Sequence, residues 1–234
     1  MLITRNGLAE SRERAQALIL AGKVRVAGET VRTPSRTVSE DASIAVDSEP
    51  GYASRGALKL APALEELGID PDARVCADVG ASTGGFTDVL LRRGATKVYA
   101  VDVGRGLLHW RLRQDPRVVV IERVNARDLQ PFPEPVSLVV VDVSFISLEK
   151  VLPAIGRAAP HAEVVALFKP QFEVGRADVG RGGIVRNPAT VEAALSRFRV
   201  WCAANGFTVN GEAVSRVAGA AGNREVFVHL EPAR

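Results

Sequence analysis

The chain has 234 residues, of which 47% are hydrophobic and 24% are charged, and its formal net charge is +3. This composition is typical of globular proteins, and at ~100–200 residues per domain the length predicts one full domain and a smaller one. No uncharged apolar run approaches the ~18 residues that span a bilayer, and two cysteines are too few for a disulfide framework. We therefore expect a cytoplasmic protein without stable membrane association, and we exclude collagens and secreted disulfide-rich mini-proteins.

Basic residues are concentrated near the N-terminus. Residues 1–36 contain seven basic and three acidic side chains, a net charge of +4, so the rest of the chain carries −1. This asymmetry favours a segment that binds a polyanion, joined to a nearly neutral body, over a merely solvated helical face.

The first 46 residues predict a small α+β domain. Apolar residues at near-helical spacing over residues 8–21 predict a helix that stops at Gly22. The sequence VRVAGETV (24–31) predicts two short strands about an Ala-Gly-Glu turn, and SIAV (43–46) predicts a third. The DSEPG stretch over residues 47–51 has the composition of a linker.

The segment LAESRERAQALILAGKVRVAGETV (8–31) resembles the alpha-L RNA-binding domain of a small-subunit ribosomal protein, tyrosyl-tRNA synthetases and many pseudouridine synthases. That resemblance implies that residues 1–46 bind structured RNA through a basic face that contains Arg12, Arg14, Lys23 and Arg25. The family usually opens with an Arg-Leu-Asp-like first turn, whereas this chain begins Met-Leu-Ile-Thr-Arg. We therefore expect a shortened first helix.

From residue 52 onward, apolar runs of 5–8 residues alternate with amphipathic helical stretches. The runs are RVCADVGA (74–81), KVYAVDVG (97–104), RVVVIE (117–122), VSLVVVDVS (136–144) and AEVVALFKP (162–170). Such runs predict an α/β fold, with a mostly parallel sheet covered by helices on both faces. Two final runs, around GFTVNGEAV (206–214) and EVFVHLE (225–231), are expected to form an antiparallel edge.

A glycine-rich turn, DVGASTGGF (78–86), ends the first of these strands. Its G-x-x-x-G-G spacing differs from the G-x-G-x-x-G of dinucleotide folds, and Asp78 suits an ammonium group better than a phosphate. Asp102, at the end of the next strand, can accept hydrogen bonds from ribose hydroxyls. These features favour S-adenosylmethionine over NAD and over a purely structural turn, and the predicted contacts are Asp78, Gly80, Ser82, Thr83, Gly84, Gly85, Phe86 and Asp102.

Asn125 and Asp128 follow the third strand, where adenine-contacting residues often lie in this fold. We assign both residues to the cofactor, although Asp128 fits the role of a helix cap equally well.

The end of the fourth strand bears on which atom is methylated. Methylation of a base nitrogen would favour an Asn/Asp-Pro-Pro-aromatic motif there, but the sequence is Asp142-Val-Ser144-Phe145, and no cysteine stands in the Pro-Cys setting of cytosine-carbon methylation. Methylation of a ribose hydroxyl requires a general base, for which a partly desolvated lysine is suitable.

The chain as a whole resembles the TlyA-type ribosomal RNA methyltransferases, which are sometimes labelled hemolysins and which join an alpha-L domain to an FtsJ-like 2′-O-ribose methyltransferase. The matching stretches are YASRGALKL (52–60), DVGASTGGFTDVLLRRGA (78–95), VDVG (101–104), DVSFISL (142–148), FKPQFEVG (168–175) and GNREVF (222–227). The resemblance implies a Rossmann-like, seven-stranded methyltransferase domain over residues 52–234 that uses S-adenosylmethionine. The implied substrate is a cytidine in 16S or 23S ribosomal RNA, presented as RNA or in ribosomal subunits.

The Lys-Asp-Lys-Glu tetrad of that family corresponds to Lys59, Asp142, Lys169 and Glu225. Because Asp142 and Lys169 end adjacent predicted strands, both should face the cofactor crevice. We assign Lys169 as general base, Asp142 and Glu225 as the groups that orient it, and Lys59 as the group that positions the ribose or phosphate. Asp142 is also assigned to the cofactor site and Arg55 to the RNA.

Three alternatives remain open at this point. Lys59 and Glu225, taken without the resemblance, could equally be surface charges. A membrane-active hemolysin and a non-catalytic RNA-binding protein are the alternative functions.

His109, His161 and His229 lack metal-ligand spacing with one another or with either cysteine, so we predict no metal site.

Overall fold

The structure is a computed structural model that describes residues 2–9, 11–20, 22–46, 51–219 and 222–233, and the side chains of Arg14 and Arg176 are outside this description. The chain folds as two compact units, residues 1–51 and residues 52–234. The predicted linker falls mostly on residues 47–50, which lie outside the described residues, so its bounds stay a prediction.

The N-terminal unit is a small α+β fold. It contains helices α1 (Leu2–Arg5) and α2 (Arg12–Leu20) and the strands β1 (Val24–Val26), β2 (Glu29–Val31) and β3 (Ile44–Val46). The strands form an antiparallel sheet in the order β2-β1-β3. Both predicted hairpin strands and the third strand are confirmed, and the helix predicted over 8–21 is shorter, beginning at Arg12. The small core contains Ile3, Ala15, Ile19, Val24 and Val31.

The second unit is built around a seven-stranded sheet. Its strands are β4 (Val75–Val79), β5 (Lys97–Asp102), β6 (Val118–Glu122), β7 (Leu138–Val141), β8 (Glu163–Phe168), β9 (Phe207–Val214) and β10 (Val226–Pro232). Within the described residues, the order across the sheet is β6-β5-β4-β7-β8-β10-β9. Strands β4 to β8 are parallel, and β10 is antiparallel to both β8 and β9. The predicted parallel sheet with an antiparallel edge is therefore confirmed.

Helices cover both faces of this sheet, which explains why its central strands are apolar on both sides. The helices are α3 (Ala57–Leu67), α4 (Gly85–Arg92), α5 (Trp110–Arg113), α6 (Leu152–Ala158), α7 (Pro170–Glu173) and α8 (Pro188–Ala204). One core cluster packs α6 and α8 against the sheet, and the other packs α3, α4 and α5 against the opposite face. Among the described residues, no helix is both long enough and apolar enough to cross a membrane.

The strand order reverses at β4. The chain moves outward from β4 to β5 and β6 and then returns to β7 on the other side of β4. The connections that follow β4 and β7 therefore run in opposite directions across the sheet, to β5 and to β8. Such a switch point opens a crevice at the carboxyl ends of the strands, which is where open α/β sheets bind ligands.

Candidate active site

A cavity of about 530 Å³ lies at the carboxyl ends of β4, β5, β6 and β7. Polar residues from four successive strand ends line it, together with the apolar side chains of Val103, Leu107 and Ile146; the polar residues include Ser82, Asp102, Asn125, Asp142 and Ser144. A concave, partly apolar space with a few convergent polar groups is the usual form of a small-molecule site.

The glycine-rich turn brings the ends of β4 and β7 together. Gly80 has a φ of +90°, and a Cβ atom there would lie only 2.3 Å from the carbonyl oxygen of Asp142. Glycine is required at this position both by the left-handed backbone and by the close approach of the neighbouring chain. Gly80 lines the cavity, and its predicted contact with the cofactor stays a prediction.

The other residues of the turn divide between the cavity and the packing of helices. Gly84 also has a φ of +90°, but a Cβ there would lie 2.3 Å from Leu112. This glycine therefore allows α5 to pack closely against the turn. Gly85 and Phe86 line a second cavity of about 320 Å³, together with Ser82 and Thr83. The ring of Phe86 is mostly in the apolar core, 5.9 Å from the ring of Phe227.

The carboxylate of Asp102 organises the turn from the end of β5. Its Oδ2 accepts a hydrogen bond from the backbone N–H of Ser82 at 2.8 Å, and its Oδ1 accepts one from Gly104 at 2.7 Å. Each oxygen retains a lone pair. Asp102 lines the larger cavity, so it can accept hydrogen bonds from a ligand while it holds the glycine-rich turn.

The structure separates Asn125 from Asp128. Asn125 lines the larger cavity, and its side chain accepts from the Arg127 N–H at 3.1 Å, so it caps the short 3₁₀ helix over residues 126–128. Asp128 lies inside that helix, is exposed and does not line the cavity. The capping role that we considered for Asp128 therefore belongs to Asn125, and Asp128 is not brought to the predicted adenine site.

Asp78 is fully buried inside β4 rather than exposed in either cavity. Its Oδ2 accepts hydrogen bonds from Thr87, at 2.8 Å from the backbone N–H and 2.7 Å from the hydroxyl. Its Oδ1 has no hydrogen-bond partner among the described residues. Burial raises the pKa of this carboxyl to about 7, and Asp142 and Asp102 add to the rise, whereas the Thr87 hydrogen bonds oppose it. The carboxylate thus retains a buried acceptor atom below the turn.

Two ion pairs contain the four residues of the predicted tetrad. Lys169, which follows β8, places its Nζ 2.5 Å from Asp142 Oδ1 and donates to the Ser144 hydroxyl at 2.9 Å. Lys59, on α3, places its Nζ 2.6 Å from Glu225 Oε2. The Glu225 side chain is only 2% exposed and that of Lys169 only 8%. Neither carboxylate–lysine pair is a solvated surface pair.

The second cavity joins the two pairs. Lys59 and Asp142 both line this space of about 320 Å³, and Gly80, Ser82 and Asp142 border both cavities. Glu225 reaches this edge because β10 runs antiparallel to β8 and pairs Val226 with Phe168. Lys59 and Asp142 line this cavity, and Glu225 and Lys169 lie behind them, each paired with one of the two lining residues.

The residues predicted to contact RNA are mostly exposed. Arg12 on α2 and Lys23 and Arg25 beside or within β1 are exposed in the N-terminal unit, and the side chain of Arg14 lies outside the described residues. Arg55 is exposed in the second unit and lines the second cavity.

Sequence reasoning missed the contributions of Ser144 and Phe145. Ser144 binds Lys169, and the side chain of Phe145 lines the larger cavity. Phe145 has a φ of +64°, which is uncommon for a bulky residue, and is 91% exposed. The signal was present in the DVSF sequence, but we used it only to exclude a base-nitrogen motif.

One group of metal-ligand side chains lies away from the cavities. Glu163 at the start of β8 and His229 and Glu231 on β10 place one ligand atom each within 4.8 Å of one another. Arg74 already forms an ion pair with Glu163 at 2.8 Å. Spacing along the chain did not indicate this group, because antiparallel pairing of β8 and β10 creates it.

Comparison with known proteins agrees with this arrangement. The family model described as FtsJ-like methyltransferase matches residues 52–231, and the S4 domain model matches residues 1–44. A Mycobacterium tuberculosis protein named 16S/23S rRNA (cytidine-2'-O)-methyltransferase TlyA is 48% identical over 97% of this chain and 87% of its own length. Hemolysin A of Brachyspira hyodysenteriae is 43% identical over 96% of this chain and 95% of its own length.

A solved structure has the same fold. The structure of a candidate hemolysin from Streptococcus thermophilus aligns with a TM-score of 0.76 and 41% identity, covering 99% of this chain and 86% of that one. The likeness therefore extends over nearly the whole of both chains.

Proposed function

This chain belongs to the FtsJ-like methyltransferase family, within the group that carries the TlyA name, and on that premise we propose that it methylates the 2′-oxygen of a cytidine in ribosomal RNA. The observation that carries this proposal is the ion pair between the buried Lys169 and Asp142, which lines a ligand-sized cavity. Such a pair supplies an amine beside the place where a ribose hydroxyl would meet a methyl donor.

The residues around the larger cavity fit S-adenosylmethionine. Asp102 has free acceptor lone pairs for ribose hydroxyls, and Asn125 and the apolar side chains of Val103 and Ile146 surround the space for an adenine ring. The buried Oδ1 of Asp78 has no hydrogen-bond partner among the described residues, so it retains an acceptor that a cationic group of the ligand would satisfy. When bound, S-adenosylmethionine supplies a methyl group activated by a sulfonium sulfur.

The tetrad residues have distinct proposed roles. Lys169 would accept the proton of the 2′-hydroxyl, and a bound S-adenosylmethionine would supply the methyl group that the oxygen takes. Asp142 and Ser144 hold Nζ of Lys169 at 2.5 and 2.9 Å, and the Lys59–Glu225 pair places a cation toward the RNA backbone in the second cavity. Much of the rate enhancement then comes from holding oxygen and methyl carbon in line.

Ribosomal RNA is the substrate that the rest of the chain supports. The N-terminal S4 domain carries the exposed basic residues Arg12, Lys23 and Arg25, and in the other unit the exposed Arg55 lines the second cavity. The M. tuberculosis relative is named for cytidine methylation in 16S and 23S ribosomal RNA. We accordingly place the enzyme in the cytoplasm, where ribosomal subunits are available.

Substitution of Lys169 tests the function. Lys169→Ala and Lys169→Arg should both lower methyl transfer to purified ribosomal subunits by at least ~10²-fold, because alanine removes the base and arginine cannot lose its proton. Equilibrium dialysis with labelled S-adenosylmethionine should show binding within about threefold of the unsubstituted protein. Mapping of reverse-transcription stops at limiting nucleotide identifies the methylated residue.

Lys97→Ala is the matched control, because Lys97 pairs with Glu134 at the opposite end of β5 and lines neither cavity described here. Full transfer by Lys169→Ala would remove the assignment of the base, and an unsubstituted protein that binds S-adenosylmethionine but methylates no subunit would remove the substrate.

The hemolysin alternative depends on the names of relatives, and a complete tetrad with buried Lys169 and Glu225 argues against the non-catalytic alternative. Release of a trapped dye from liposomes by the purified protein would support membrane activity. Failure to bind S-adenosylmethionine in dialysis would support a purely RNA-binding role.

A further inference from the structure

Two segments that follow adjacent strands are joined by four successive contacts. The β7 loop (residues 142–148) follows β7, and the β8 segment (residues 169–173) follows β8. Lys169 contacts Asp142 and Ser144, and the rings of Phe172 and Phe145 lie 5.2 Å apart. The last contact joins Glu173 to Leu148, whose backbone N–H donates to Glu173 Oε1 at 2.8 Å. Of these contacts, the last lies farthest along both segments from the catalytic lysine.

Glu173 holds the end of the β7 loop through hydrogen bonds rather than through an opposite charge. Besides the Leu148 N–H, the Ser147 hydroxyl donates to it, and both groups stand at the start of the 3₁₀ helix over residues 148–150. Burial raises the pKa of this carboxyl, and the neighbouring carboxylate of Glu149 acts in the same direction. Glu173 lines neither the larger nor the second cavity, and its hydrogen bond goes to the β7 loop, so it would act on the reaction through that loop.

The β7 loop needs such an anchor. It contains Phe145 in a left-handed backbone conformation with its side chain 91% exposed, so this residue contributes little packing of its own. Strained residues of this kind persist where the surrounding structure holds them in place. Anchors are present on both sides of it: Asp142 and Ser144 on Lys169 before it, and Leu148 on Glu173 after it.

We propose that Glu173 is a positioning residue for methyl transfer: by accepting the Leu148 N–H, it fixes the β7 loop so that Asp142 and Ser144 hold Lys169 Nζ in its reactive place. The proposal rests on the proposed function, since it concerns the orientation of the same base. A displacement of ~1 Å in a catalytic group can cost ~10²-fold in rate. A residue outside both cavities can thus affect kcat strongly.

The test compares three substitutions at this position. Glu173→Ala removes the acceptor and should lower kcat about 10- to 100-fold, with KM for ribosomal subunits within about threefold. Rates are measured at saturating S-adenosylmethionine, because Asp142 and Ile146 of the β7 loop also line the larger cavity. Glu173→Gln retains an oxygen that accepts from Leu148 and should restore kcat to within about threefold. In Glu173→Asp the side chain is too short to reach Leu148, so kcat should fall as far as expected for Glu173→Ala. This variant supplies the test if the alanine variant does not fold.

Glu149→Ala is the matched control, because it removes the adjacent carboxylate without removing an acceptor of the Leu148 N–H, and it should retain full kcat. An unchanged kcat in Glu173→Ala and Glu173→Asp would overturn the proposal, and so would equal impairment of the glutamine variant. Lys169→Ala assayed beside them separates the two claims. If Lys169→Ala is active, the proposed base is wrong whatever Glu173 does, whereas an inactive Lys169→Ala with unaffected Glu173 variants rejects only the positioning role.

Discussion

Two charged residues of the candidate site are shielded from solvent. Lys169 and Glu225 are almost wholly buried, and each has an opposite charge within 2.6 Å. Burying an ion pair costs desolvation free energy, and removing one partner leaves an uncompensated buried charge that strongly destabilises the fold. Apolar side chains of similar size would fill the same space without that cost. A purely structural protein would gain little from them. The pairing of Lys169 and Glu225 with Asp142 and Lys59, which line the second cavity, agrees with the chemistry proposed for them.

Asp78 leads to a pH-dependent prediction for stability. The pKa of its carboxyl rises from an ordinary 3.8 to about 7 in the folded chain, so the folded state binds a proton that the unfolded state releases above about pH 4. The stabilising effect is therefore complete below pH ~4, falls as pH rises to about 7 and stays low above it. Each pKa unit corresponds to ~1.4 kcal/mol, so the difference amounts to about 4 kcal/mol.

Asp78→Asn should remove this dependence, since an amide does not titrate and its oxygen can still accept from Thr87. Urea unfolding at pH 5 and pH 8 measures the effect: relative to the asparagine variant, the unsubstituted protein should lose a few kcal/mol between the two values. Asp115→Asn is the control, because a neighbouring Arg117 lowers the pKa of that carboxyl. Parallel pH curves for the Asp78 variant and the unsubstituted protein would contradict the prediction.

At the scale of elements, the site is made by the close approach of β4 and β7. Cys76 to Val79 pair with Leu138 to Val141 in parallel register, and the next residues of the two strands are Gly80 and Asp142. The backbones of Gly80 and Asp142 are in contact at this point, and both residues line the larger cavity. Glycine at position 80 permits that contact, because it has no Cβ to meet the Asp142 carbonyl.

Gly80→Ala should therefore abolish methyl transfer and lower the free energy of unfolding by more than its backbone strain. The matched control is Gly206→Ala, because Gly206 also has a positive φ, +80°, but a Cβ there meets nothing within 4 Å. Both variants should lose the ~1–2 kcal/mol expected for an L-residue in the left-handed region. Only Gly80→Ala should lose more than this and also lose binding of S-adenosylmethionine in dialysis. Equal stability and equal binding for the two variants would show that the approach of β4 and β7 is not constrained as described.

The antiparallel edge of the sheet explains the placement of the fourth tetrad residue. Because β10 runs opposite to β8, its first residues lie beside the last residues of β8, and Glu225 precedes β10 just as Lys169 follows β8. If β10 were parallel, Glu225 would lie at the other end of the sheet. The direction of one strand therefore decides whether the Lys59–Glu225 pair can form at this site.

For the whole molecule, the uneven distribution of charge predicts how substrate binding responds to substitution. Arg12 and Lys23 are exposed on the N-terminal unit, whose first 36 residues carry a net charge of +4. Arg12→Ala combined with Lys23→Ala should raise KM for ribosomal subunits about tenfold, reduce its dependence on salt and leave kcat and cofactor binding unchanged, because phosphate contacts supply affinity. Initial rates at several salt concentrations provide the measurement.

Arg157→Ala, which removes an exposed arginine of α6 in the other unit, is the control for loss of positive charge and should leave KM unchanged. A double variant with unchanged KM at every salt concentration would show that the N-terminal unit does not bind the substrate through these side chains.

The sequence by itself determined the strands, the covered parallel sheet, the N-terminal hairpin and the glycine-rich turn, because these depend on local hydrophobic patterns and on residues close together in the chain. It also indicated the tetrad residues by their motifs. Only the tertiary structure decided which distant side chains meet: Lys59 pairs with Glu225, Lys169 pairs with Asp142, and Glu173 reaches the β7 loop. Such contacts depend on strand order and direction, which bring together residues far apart in the chain, and no local pattern specifies them.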